Sequence, residues 1–148
     1  MTQTRIQALE VVTERYQDNR FVSIKASVER LCPLLLDLSH TDQQFVLAEI
    51  KRTLSFKAGT VGLCEWKLLE QICALDMYLK YHNPYGTSFA LREIRTILQV
   101  VMDDDIICAY SECFENLLQE ARYLPLIHDD DYQIIVEIRE LQQAAEQR

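Results

Sequence analysis

Glycine and proline are scarce in this chain, with three of each among 148 residues, where average usage would supply about 7% and 5%. So few turn-formers argue against the many tight reversals of a sheet protein and favour long helices. Long apolar runs are missing too: no stretch approaches the roughly 18 consecutive apolar residues of a membrane span. The polar start, Met1-Thr2-Gln3-Thr4-Arg5, leads into an amphipathic segment rather than the apolar core of a signal peptide. Five cysteines occur, Cys32, Cys64, Cys73, Cys108 and Cys113, an odd number with no regular spacing and no CxxC pair. The expectation is a cytoplasmic protein whose thiols are free, mostly buried, and used as small hydrophobes.

The chemistry-bearing motifs are absent as well. The chain has no HExxH, GxSxG, GxGxxG or GxxxxGK[ST]. None of Gly59, Gly62 and Gly86 is followed by the Lys and hydroxyl residue of a phosphate cradle. The histidines are His40, His82 and His128, far apart in sequence, and the favourable field at a helix C-terminus is reason enough for His82. Nothing selects one thiol as a nucleophile. The reading is therefore non-catalytic, with no cofactor expected.

Positive charge is lacking in one half only. Residues 1–82 carry ten Lys+Arg and ten Asp+Glu; residues 83–148 carry five and thirteen, so the whole net charge of -8 belongs to the second half. DNA and anionic membrane surfaces would be repelled there, because such binding depends on basic side chains displacing counterions. Nucleic acid is not an expected partner, whereas a basic protein or a cation is compatible with the charge.

What is present is apolar spacing at helical period nearly throughout. At 148 residues the expectation is a single domain, all-α, a compact bundle of about seven helices. Ile6, Leu9, Val12 or Thr13, and Tyr16 mark the first helix. Ser23 can cap a second with Ile24, Val28, Leu31 and Leu35, in which Pro33 predicts a break or kink around Arg30 to Cys32. Ser39 with Asp42 resembles a capping box for the third, with Val46, Leu47, Ile50 and Leu54 buried. Gly59 suits its closing position. A fourth follows Gly62 with Leu68, Leu69, Ile72, Leu75 and Leu79, stops at Asn83-Pro84-Tyr85-Gly86, and makes a hairpin with the third. Thr87 or Ser88 would cap the fifth (Leu91, Ile94, Leu98, Val101). The sixth carries Ile106, Tyr110, Cys113 and Leu117, and the seventh Ile134 or Ile135, Ile138 and Leu141.

Three groups of residues are candidates for function. Trp66, beside Glu65 and Cys64, follows the glycine-bearing connector; exposed, it would anchor a partner, and buried, it would plug the hairpin. Tyr85 lies at the other end of the same helix, with Tyr78 and Tyr81. The Asp triplets give a metal alternative: His128, Asp129, Asp130 and Asp131 could supply oxygen and nitrogen ligands, joined by Asp103 and Asp105 if folding brings them near. Each triplet also precedes a helix, where carboxylates complement the dipole.

The stretch 39–78 resembles the helix–loop–helix of tellurite-resistance TerB-like domains. Their signature runs roughly Asp-Gly-x-Val/Ile-Ser/Thr-x-x-Glu between two helices, and here Gly59, Val61 and Glu65 match it. Ala58 and Gly62 depart from the acidic and hydroxyl positions. The resemblance thus implies an all-helical fold but leaves the cation-binding carboxylates of those domains without a counterpart at 58. The segment from Leu31-Cys32-Pro33-Leu34-Leu35 to Leu38-Ser39 is also similar to helical tails of some prenyl-protease-like zinc metallopeptidases; with no zinc motif present, no proteolytic role follows. The expectation is a protein-binding or adaptor domain, engaging a partner or a second copy through the connector 59–66 and the acidic half. A metal-responsive domain and an acidic immunity-type inhibitor are the alternatives.

Overall fold

A computed structural model describes residues 6–7, 10–11, 24–100, 104–124 and 129–148, with 24–28 and 53–62 described as backbone alone. Every element among these residues is helical: α1 (Ile24–Asp37), α2 (His40–Lys80), α3 (Pro84–Val100), α4 (Asp104–Arg122) and α5 (Asp129–Gln147). Helical backbone at 6–7 and 10–11 belongs to a further, N-terminal helix, so among the described residues there are six helices rather than the seven expected. Leu9, Val12, Thr13, Tyr16, Ser23 and Val101 fall outside the described residues, as do the side chains of Ile24, Val28 and Leu54.

The count falls by one because the expected third and fourth helices are a single 41-residue run of helical backbone. Gly59 and Gly62 do not end it; a helix interior tolerates glycine at about 1 kcal/mol each. The run is nevertheless doubled back. The Trp66 indole N–H donates to the Leu47 carbonyl over 2.9 Å although nineteen residues separate them, a rise of roughly 28 Å in a straight helix. The Lys51 ammonium also lies 4.5 Å from the Trp66 ring centre. The axis therefore reverses between Lys51 and Trp66, the interval that holds both glycines, and α2 is a hairpin of two helical arms.

Ser39 caps α2 as its position suggests: its hydroxyl accepts from the Asp42 N–H at 3.3 Å. The α1–α2 joint is tightened by buried Gln43, whose amide donates to the Leu35 carbonyl near the end of α1; the same carbonyl also accepts from the Leu38 N–H. Two boundaries differ from expectation. Helix α1 runs through Pro33 without interruption, because Leu31, Cys32, Leu35 and Leu38 are all buried and anchor both sides of it, while Pro33 itself is exposed. Helix α3 begins at Pro84, not after Thr87 or Ser88. The Asn83 side chain accepts from the Gly86 N–H at 3.0 Å as N-cap, and proline is well suited to the first helical position.

The end of α2 is a Schellman arrangement. The Asn83 N–H reaches the Tyr78 carbonyl and the His82 N–H the Leu79 carbonyl, with His82 left-handed at φ 52°. A residue with a Cβ in that conformation costs roughly 1–2 kcal/mol. His82→Gly should accordingly raise the unfolding free energy by about 1 kcal/mol, read as a higher midpoint in urea at unchanged slope. A lower midpoint would show that the imidazole contributes more than the strain removes.

Ser88 and Arg95 of α3 meet Asp131 and Glu137 of α5 in the same order, so these helices run parallel. Arg139 of α5 and Arg148 just past its end meet Glu115 and Asp104 of α4 in reverse order, so α4 is the antiparallel return between them. Helix α1 packs on α4, and α2 packs on α3 and α4. The buried apolar side chains of all five helices, with Val11, form one cluster. It contains nearly every position marked by the apolar spacing, including Leu68, Leu69, Ile72, Leu75, Leu91, Ile94, Leu98, Ile134, Ile135 and Ile138. Ile6 is exposed.

Candidate functional site

Glu65, Trp66 and Tyr85 do not come together as one surface. Glu65 is 1% exposed and accepts a hydrogen bond at 2.7 Å from the hydroxyl of Tyr110, which is fully buried. Trp66 is half-buried against the core, with its N–H committed to Leu47 and Lys51 over its face. It clasps the two arms of α2. Only Tyr85 is offered to solvent, at 82% exposure.

The acidic triplets are placed at helix starts. Asp104 and Asp105 lie in the first turn of α4, and Asp129, Asp130 and Asp131 in the first turn of α5, where negative charge complements the dipole. Asp131 is buried and accepts the Ser88 hydroxyl at 2.7 Å. Asp104 holds the Arg148 guanidinium through two hydrogen bonds, and that pairing lowers its pKa below the usual carboxylate range. Asp105, Asp129 and Asp130 are exposed, while His128 and Asp103 lie outside the described residues. Among the described residues, no three His, Cys, Asp or Glu side chains gather as a cation site requires.

What sequence reasoning missed is a centre built from three helices. None of the five cysteines is in a disulfide. Cys113 of α4 acts on the titration of both Cys32 of α1 and Cys73 of α2, and the Glu65 charge adds to the effect on Cys32. Cys32 and Cys73 are buried, whereas Cys113 is half-buried. The Cys32 thiol is held well above the ordinary thiol range, first by its hydrogen bond with Cys113 and then by burial. Burial also pushes Cys73 upward, with Cys113 adding to the effect. A groove of about 340 Å³ between α1 and α4 opens onto the pair; Cys32, Pro33 and Leu36 line one wall, Ala109 and Cys113 the other, and Glu29 and Glu112 contribute acidic side chains. The available signal was faint. Each of the three cysteines sits on its helix's apolar stripe, but which stripes face each other is a property of the tertiary packing.

Two further surface features stand out. Tyr81, Tyr85 and Phe89 are 79%, 82% and 57% exposed around the α2–α3 joint. Between the C-terminal end of α4 and α5, a groove of about 450 Å³ is lined by Arg122, Tyr123, Tyr132, Ile135, Val136 and Arg139. The Arg139 guanidinium there is already paired with Glu115 at 2.9 Å.

Comparison with known proteins finds no matching family model, no similar curated protein and no similar solved structure. No helix among the described residues is long and apolar enough to cross a membrane.

Proposed function

We propose that this chain is a non-catalytic, protein-binding module of adaptor type, acting in the cytoplasm and built on a helical hairpin of TerB-like kind. The observation that supports it is the aromatic group Tyr81, Tyr85 and Phe89, large side chains left in water beside a joint whose backbone is fully capped. Tyr85 and Phe89 stand four residues apart on α3 and share one face. Aromatic side chains on a rigid support lose little entropy when covered, which is why they dominate binding hot spots. The residues from 83 onward carry the chain's full net charge of -8, so the partner that fits presents apolar side chains among basic ones.

The test is capture from lysate by the intact chain and by Tyr85→Ser/Phe89→Ser, each at low and raised salt. The double variant should fold with an unchanged melting temperature, since both side chains are exposed. A partner held by the wild type should be lost at least tenfold from the variant, on the order of 1.4 kcal/mol, and be weakened by salt. An identical set of proteins retained by both would end the proposal for this surface.

A further inference from the structure

The groove between α1 and α4 is not used by the adaptor reading, and it exposes a thiol pair from helices far apart in the chain. Cys113 is half-buried and Cys32 is buried behind it; both line the same cavity. We propose that Cys32 and Cys113 are a modification site, oxidised by a small neutral hydroperoxide entering this groove to a reversible disulfide that staples α1 to α4.

The order of events follows from access. Cys113 is the less enclosed sulfur, so it reacts first: its thiolate attacks one peroxide oxygen, the O–O bond breaks, and the departing oxygen takes up a proton as water or alcohol. Cys113 becomes a sulfenic acid. The Cys32 sulfur then attacks the Cys113 sulfur, an S–S bond forms, the S–O bond breaks, and the hydroxide leaves as water with the Cys32 proton. Two thiols and one hydroperoxide thus give one disulfide and either two waters or one water and one alcohol. Both cysteines line one cavity from facing helices, and their sulfurs must close to about 2.05 Å.

The size of the groove, about 340 Å³, suits a small oxidant such as a hydroperoxide. Cys73 is buried in the core and does not line the groove, which makes it the internal control.

The experiment uses the full chain, treated with hydrogen peroxide, then alkylated with N-ethylmaleimide under denaturing conditions and weighed intact. Of the five thiols, two should escape alkylation, and non-reducing peptide mapping should join the Cys32 peptide to the Cys113 peptide. Dithiothreitol should restore five-fold alkylation. Cys73→Ser should leave this cross-link intact, and Cys32→Ser should stop at a Cys113 sulfenic acid that dimedone traps. A linkage through Cys73, five alkylated thiols after oxidation, or direct passage of Cys113 to sulfinic acid in the wild type would each overturn the proposal. The wild-type peptide map decides the matter even if a serine variant does not fold.

Discussion

Tyr110→Phe should lower the unfolding free energy by about 2 kcal/mol, within the range of roughly 1.5–3 for a buried hydrogen bond to a charged group. At this chain length that corresponds to a melting temperature lower by about 4–8 °C. The ring is fully buried and phenylalanine fills the same hole, so the substitution removes only the hydroxyl that donates to Glu65 at 2.7 Å. Glu65→Leu should be comparably harmful from the other side, because it leaves the Tyr110 hydroxyl without that acceptor in a site closed to water. The double variant Glu65→Leu/Tyr110→Phe removes both groups, and its loss should fall short of the sum of the single losses by at least about 1 kcal/mol. Urea denaturation of the four proteins measures the cycle. Additivity within about 0.5 kcal/mol would mean that the two groups are not energetically coupled. The pair joins α2 to α4 at the level of the thiol centre, so it also holds the wall of the groove to which Cys113 belongs.

The burial of Glu65 marks the limit of what periodicity conveys. With a helix expected to follow Gly62, a carboxylate at position 65 would fall in its first turn, where such groups are ordinarily solvated. Glu65, one residue before the indole that clasps the arms of α2, is instead buried against Tyr110 of α4. The apolar stripes, by contrast, were legible residue by residue, because a helix that must bury one face repeats its large side chains at fixed spacing whatever it packs against. Ser39 could be read as a cap for the same local reason. Asn83 was harder: Asn-Pro-Tyr-Gly satisfies turn chemistry and helix-start chemistry alike, and the choice depends on Tyr78 and Leu79 accepting the returning N–H groups. The convergence of Cys32, Cys73 and Cys113 had no local signature at all. It arises from the packing of α1, α2 and α4, which spacing within one helix does not encode.

Gly86→Ala should destabilise the chain by roughly 1–3 kcal/mol, the usual cost of forcing extra volume into a packed contact. The sign is what makes the measurement informative. Within a helix, glycine to alanine ordinarily gains about 0.5–1 kcal/mol. Gly86 lies in the first turns of α3, and a Cβ built there would overlap the Tyr78 ring at Cγ, Cδ1 and Cε1. Tyr78 is half-buried against the core, and its carbonyl closes the end of α2. The ring therefore cannot yield without disturbing the joint that presents Tyr85 and Phe89. Removing the obstacle should reverse the outcome: in a Tyr78→Ala background, whose own stability is lower, adding Gly86→Ala should be neutral or stabilising, because only the helix propensity remains. Partner binding, if carried by the exposed aromatics, should weaken in the single variant more than its thermal shift alone explains, since the alanine displaces the turn on which Tyr85 stands. A Gly86→Ala protein more stable than wild type would show that Tyr78 moves aside freely, and that the α2–α3 joint is not the rigid platform on which the binding proposal depends.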